Sequence, residues 1–185
     1  MANPQVATVP ATEPVTLDEV KRRLRIEITN SDDDDLLNDL TQAARARAEA
    51  FLNRRLVTQT LDFFVDAFPA TDFIELPGGR LASITSLKYT DSDNLETTWT
   101  ATNYFASITA EPGRLHLAFN ISWPTATLKP RDAVVVRYVV GYGAAAAVPF
   151  GIRAGMMLAI GHLFHNRSDV VIQQGVTAIE IPQAA

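Results

Sequence analysis

Residues 57–66 read Val-Thr-Gln-Thr-Leu-Asp-Phe-Phe-Val-Asp, and here the apolar period of the chain changes from helical to two. Leu61, Phe63 and Val65 alternate with Asp62, Phe64 and Asp66, which places one set on a buried sheet face and the other outside. The architecture turns on this change of period. Residues before it have helical spacing, and those after it have strand spacing as far as Val140.

Upstream, Thr16-Leu17-Asp18-Glu19 is a capping box, in which a hydroxyl and a carboxylate each satisfy a free backbone N–H. Leu17, Val20 and Leu24 then mark one face, predicting a helix from Leu17 to about Arg25. Ser31 stands as a second cap before the carboxylates Asp32 to Asp35. Leu37, Leu40, Ala44, Ala48 and Phe51 recur at spacings of three and four, predicting a longer helix to about Asn53. Before Thr16, Pro4, Pro10 and Pro14 lie among small polar residues without apolar period, which reads as a mobile arm.

Downstream, turn signals at Pro77-Gly78-Gly79, Asp91-Ser92-Asp93-Asn94, Glu111-Pro112-Gly113 and Trp123-Pro124 separate β-favouring segments. These are 73–76, 83–89, 97–100, 104–108, 114–117 and 133–140, and such spacing predicts an antiparallel sheet folded into a sandwich or open barrel. After Gly141-Tyr142-Gly143, Ile152, Met156, Ile160 and Leu163 form the face of a third helix reaching about Asn166. The final segment carries Val170, Val171, Ile172, Val176, Ile179 and Ile181 around Gln173-Gln174-Gly175. With no later strand to pair with, it is expected to order only against another subunit. The fold class is therefore α+β: a flexible arm (1–15), a helical domain in two parts (16–56 and 144–168), an inserted antiparallel β-sandwich-like domain (57–143) and an extended tail (169–185).

Composition narrows the function. With 185 residues, 47% of them apolar and 20% charged, the chain has the make-up of a globular protein. Its longest apolar run, Val148 to Phe164, is interrupted by Arg153 and His162 and is too short for a bilayer span. Met1 to Pro14 shows no secretion-signal pattern. The absence of cysteine excludes disulfides and thiolate-bound metals and fits a reducing cytoplasm. A net charge of −5 disfavours a protein that grips DNA.

Four constellations admit a chemical reading. His162, His165, Asn166 and Asp169 have a spacing compatible with a metal or acid–base site, but an exposed histidine and a C-terminal helix cap explain them without one. Asp32 to Asp35 cannot converge on one cation without a looped backbone, so helix N-capping is the better account. Asp91, Asp93, Asn94 and Glu96 alternate like a calcium loop yet lack its glycine and distant glutamate, as a hairpin turn would. Gly141, Gly143 and Ala146 match a loose dinucleotide fingerprint without the parallel βαβ unit that would give it meaning. No phosphate-binding loop or nucleophile elbow occurs, and no catalytic residue, cofactor or metal is expected.

Taken in order, several stretches resemble one family. They are Thr16-Leu17-Asp18-Glu19-Val20-Lys21 with Leu24-Arg25-Ile26, Asp33-Asp34-Asp35-Leu36-Leu37, Thr58-Gln59-Thr60, and Leu76-Pro77 with Ile84-Thr85-Ser86-Leu87 and Tyr89. Trp123-Pro124, Val136-Arg137-Tyr138 with Gly141-Tyr142-Gly143, and Val148-Pro149 leading to His162-Leu163-Phe164-His165-Asn166-Arg167 complete the set. Over roughly Thr16 to Pro182 the chain resembles the head-tail connector, or adaptor, proteins of long-tailed bacteriophages and gene transfer agents.

The resemblance implies a structural subunit of the virion, made in the host cytoplasm. It would form a ring, commonly twelve-fold, beneath the portal protein, extend the DNA channel and give the tail a docking platform. The implied partners are further copies of itself, the portal protein and a tail stopper or tail-completion protein. DNA would pass through without specific binding, and no membrane is involved. In a head-to-tail ring, Asp32, Asp33 and Asp34 of one subunit are expected to face Arg45, Arg47, Arg54 and Arg55 of the next. Family members often continue beyond the position of Ile181-Pro182 into further apolar residues and a terminal arginine, whereas this chain ends at Ala185. Two rivals stand beside this reading: a metal-dependent nuclease or hydrolase linked to DNA packaging, using His162, His165 and Asp169, and a β-type binding module stacking ligands on Trp99, Tyr104 and Trp123.

Overall fold

The structure, a computed structural model, describes residues 4–166 and the backbone of residues 170–171 and 179–180. It is α+β, with three helices among the described residues, α1 (Leu17–Leu24), α2 (Asp34–Leu52) and α3 (Phe150–His165). The strands are β1 (Gln5–Thr8), β2 (Gln59–Val65), β3 (Phe73–Leu76), β4 (Leu81–Thr90), β5 (Glu96–Trp99), β6 (Tyr104–Ser107), β7 (Gly113–Leu117), β8 (Val134–Val140), β9 (Val170–Val171) and β10 (Ile179–Glu180). The chain divides into two compact units, one of residues 1–14 and 49–148 and the other of residues 15–48 and 149–185.

In the β unit, a five-stranded antiparallel sheet has the order β1-β2-β8-β4-β5 and a three-stranded one the order β3-β7-β6. The period-two pattern that opens the strand region does what it predicts. Leu61 and Phe63 of β2 turn inward, as do Val134, Val136, Tyr138 and Val140 of β8. Ile74, Leu76 and Leu115 join them from the smaller sheet in one continuous core. Tyr138 is fully buried, and its hydroxyl donates to the carbonyl of Pro77 at 2.7 Å. On the opposite face of β2 and β8, Arg137 grips Asp62 through two hydrogen bonds of 2.8 and 2.7 Å. The four strands at sheet edges, β1, β5, β3 and β6, are each four residues long.

Two expectations are corrected here. Residues 5–8, read as part of a mobile arm, form the edge strand β1, with Gln5 opposite Asp62 and Val6 opposite Leu61. The edge of β2 offers unpaired N–H and C=O groups, and pairing with them needs no apolar period, so all four β1 side chains remain exposed. The β unit also takes in the last turn of α2 from Glu49, whereas the period change falls at Val57. The Glu49 carboxylate is buried and accepts from the Leu56 N–H at 3.0 Å, from Gln59 Nε2 at 2.8 Å and from Arg55 Nη1 at 3.0 Å. With Glu49 drawn inward, Phe51 is turned out and left 71% exposed, although helical spacing placed it on the buried face.

In the helical unit, the capping box of α1 is formed in both directions between Thr16 and Glu19. The helix ends at Arg25, whose left-handed φ of 60° lets its N–H and that of Ile26 return to the Arg22 and Lys21 carbonyls. The second helix begins at Asp34, two residues later than a Ser31 cap requires, and the Asp32 N–H is taken by the Asn30 side chain at 2.9 Å. Leu37, Thr41 and Ala44 are its buried side chains in this unit, and Met156 and Ile160 are those of α3. Further on, β9 pairs antiparallel with β10, Val171 opposite Ile179 and Val170 opposite Glu180. The expectation that this segment has no strand partner within the chain is thereby corrected at Val170, Val171 and Ile179. Ile172, Val176 and Ile181 lie outside the described residues.

Candidate functional site

The polar side chains offer little for chemistry and much for structure. Among the described residues, no three histidine, aspartate or glutamate side chains are grouped to hold a metal ion. His162 and His165 lie along α3; the Asn166 amide donates to the His162 carbonyl at 3.0 Å, and Asp169 lies outside the described residues. Asp91 Oδ1 accepts the N–H groups of Asp93 and Leu95, each at 2.9 Å, while Glu96 pairs with Lys88, so the calcium-like run is the β4–β5 turn. The glycines at 141 and 143 make a turn: the Gly141 N–H reaches the Arg80 carbonyl and the Gly143 carbonyl receives the Thr58 N–H. No described helix is long and apolar enough to cross a membrane.

The three aromatic residues singled out as a stacking surface are packed on one another. Trp99 stacks on Tyr104 at 5.9 Å and meets Trp123 at 5.5 Å, and Trp123 stacks on Phe68 at 5.1 Å while its indole N–H donates to the Thr71 carbonyl. Tyr104 is buried, and burial raises its phenol pKa above the ordinary value. A more open aromatic ladder runs across the smaller sheet. There His116 lies between Phe73 and Phe105, at 5.4 and 5.6 Å, with Arg114 over the Phe73 ring and paired with Glu75.

The charges expected at a subunit contact are placed unevenly. Asp34 is held by Lys21, Arg55 by Glu49, and Arg54 donates to the Tyr142 hydroxyl at 3.0 Å and lies 3.5 Å from Glu111. Asp32 and Arg47 are exposed, while Asp33 and Arg45 are half-buried. Sequence reasoning missed Lys21, the buried ammonium that ties the α1–α2 loop through the Ile28 and Asn30 carbonyls. Its signal was present, since Lys21 falls beside Val20 and Leu24 on the apolar face of α1.

Sequence reasoning also missed a hydrophobic surface. The outer side of α3 carries Gly151, Gly155, Leu158, His162 and His165, all exposed, at spacings of four and three. Phe150 is 82% exposed and Leu158 61%. On the other side of the same helix, Arg153 pairs with Glu19, joining α3 to the start of α1. The Thr16 backbone N–H and the Arg153 guanidinium hold the Glu19 carboxyl below its ordinary pKa, against the opposing pull of partial burial.

Residues 14–110 match a family model described as "Phage gp6-like head-tail connector protein". No curated protein matches the chain. Among solved structures, the chain is similar to one in "Neck of empty GTA particle computed with C6 symmetry", with 20% identity and a TM-score of 0.75 over 91% of this chain and 87% of that one. A chain of "Virion of native gene transfer agent (GTA) particle" matches with 18% identity and a TM-score of 0.76, over 92% and 88%. One of "Neck of native GTA particle computed with C12 symmetry" matches with 20% identity and a TM-score of 0.73, over 94% and 87%. At these identities the likeness is one of fold.

Proposed function

The chain belongs to the phage gp6-like head-tail connector protein family, and on that ground we propose that it is a ring-forming subunit of the neck of a phage-like particle. It is a structural protein of the virion and not an enzyme. The ring sits beneath the portal protein, extends the DNA channel and gives the tail its docking platform. Its partners are other copies of this chain, the portal protein and a tail stopper or tail-completion protein. DNA passes through without specific contacts, in keeping with a net charge of −5. The observation that carries the reading is the family match over more than half of the chain. The fold shared with neck chains supports it, and one of those necks was computed with C12 symmetry, which favours a dodecamer.

In this reading α2 contributes to the contact between copies. Asp32 and Asp33 before its first turn and Arg45 and Arg47 in its second half supply opposite charges for a head-to-tail neighbour. Asp34, Arg54 and Arg55 also have partners within the subunit. The segment bearing Val170, Val171, Ile172, Val176, Ile179 and Ile181 docks on the portal or on a neighbour. Particle images of the purified protein, alone and with a portal protein, test the whole: closed rings are expected. A protein that stays monomeric in both conditions and is missing from purified particles sinks the reading.

A further inference from the structure

We propose that the outer face of α3 is one side of the contact between subunits, and that what covers it is the outer face of α2 on a second copy of this chain. The inference rests on the ring reading above and names the two surfaces that meet. Apart from Arg153, His162 and His165, the third helix is apolar, and its apolar side chains are spread around its circumference. Met156 and Ile160 point inward, yet Phe150 and Leu158, on other sides, are 82% and 61% exposed. A helix of this composition is normally covered on all sides.

The glycines point the same way. Among the described residues, a Cβ added at Gly151 or at Gly155 would meet nothing within 4 Å, so none of them asks for glycine there. Gly155 lies inside α3, where glycine is costly relative to alanine. Close approach of another backbone gives it a reason.

Charge selects the occupant. Arg23 of α1 is exposed and lines the groove beside Met157 and Leu158, giving the apolar stripe a cationic rim. Among the described residues, the one acid lining that groove, Glu19, is engaged by Arg153. A ring of identical subunits joins two different faces of the same chain, so the complement must be carried elsewhere on it. The outer side of α2 has the matching character: Asp35, Asp39, Ala43 and Ala46 stand at helical spacing, acidic first and then small, with Asp39, Ala43 and Ala46 exposed and Asp35 at the exposed end of the first turn. Alanine against glycine allows two helices to approach to about 8 Å, the near end of the packing range. Arg23 of one copy then meets Asp35 and Asp39 of the next.

Self-association measured by sedimentation, together with thermal melting of the monomer, tests this. Arg23→Asp and the pair Asp35→Arg with Asp39→Arg should each weaken assembly at least tenfold, and the three changes together should restore it. Gly155→Trp should block assembly while the monomer melts as the wild type does. If the charge variants assemble like the wild type, the assignment of these faces is overturned and the ring reading stands. A Gly155→Trp monomer that melts markedly lower also overturns it, since the face is then covered by the chain's own residues. A wild-type chain that stays monomeric both alone and with a portal protein, and is missing from purified particles, removes the ring reading and this inference together.

Discussion

Lys21 and Asp34 form an ion pair between α1 and the first turn of α2, the lysine side chain 3% exposed and the aspartate 27%. The same ammonium donates to the carbonyls of Ile28 at 3.2 Å and Asn30 at 2.7 Å. A single cation therefore organises the loop between the two helices. Lys21→Met keeps the aliphatic stem and leaves two carbonyls and a carboxylate without their donor. It is expected to cost about 3 kcal/mol, read as a shift in urea midpoint at constant slope. Asp34→Asn, at a partly exposed site, should cost about 1 kcal/mol.

Acid should act on the helical unit through Glu19. Its folded-state pKa is lowered, so its contribution is present above the ordinary glutamate value of about 4.3 and is lost as pH falls through the folded value. Thermal melting between neutral pH and the acid limb should show a steeper loss in the wild type than in Glu19→Gln. Equal slopes would remove Glu19 from the account.

Alkali should act through Tyr138. Burial raises its phenol pKa well above the ordinary value, so the unfolded chain loses that proton first. Stability present below about pH 10, the value of the free phenol, declines as pH rises beyond it. Tyr138→Phe should lose about 1 kcal/mol at neutral pH, with the Pro77 carbonyl left without this donor, and should flatten the alkaline decline.

Two glycine-to-alanine changes should move in opposite directions. At Gly141, φ is +116° and a Cβ would lie 2.5 Å from the Val57 carbonyl oxygen, so Gly141→Ala should destabilise by more than about 1 kcal/mol. At Gly155 the space is open and the backbone helical, so Gly155→Ala should stabilise the monomer by about 0.5–1 kcal/mol. Melting temperatures of the two variants decide both.

Salt should soften self-association without abolishing it. Charge pairs at exposed or partly exposed sites contribute about 0–1 kcal/mol each, and those proposed between Asp32 or Asp33 and Arg45 or Arg47 are of that kind. Arg45→Glu with Arg47→Glu should weaken assembly and flatten its salt dependence. Assembly indifferent to both changes takes α2's charged ends out of the contact.

The features legible in the sequence came from period and capping. The alternation of Leu61 and Phe63, the inward set Val134, Val136, Tyr138 and Val140, and the box between Thr16 and Glu19 are local patterns, and local physics reproduces them. What stayed hidden depended on partners outside the local helix or strand pattern. β1 has no apolar period because only its backbone is engaged, with residues beyond position 58. Glu49 reads as a surface charge until the N–H groups around it are placed, and the place of Lys21 on the apolar face of α1 does not say which carbonyls it meets. Arg54 and Arg55 look like available interface cations, but Tyr142 and Glu49 hold them within the subunit.

The short edge strands bear on solubility. The proposed ring would bring many copies into close quarters, and an exposed strand edge is a template for adding a foreign strand. Each open edge of both larger sheets is only four residues long, and β1 carries a register irregularity between Val6 and Thr8 as well. Long β-pairing between neighbouring copies has little to grow on, so crowded subunits are kept from fibrillar aggregation while their helices remain open to ordered contact.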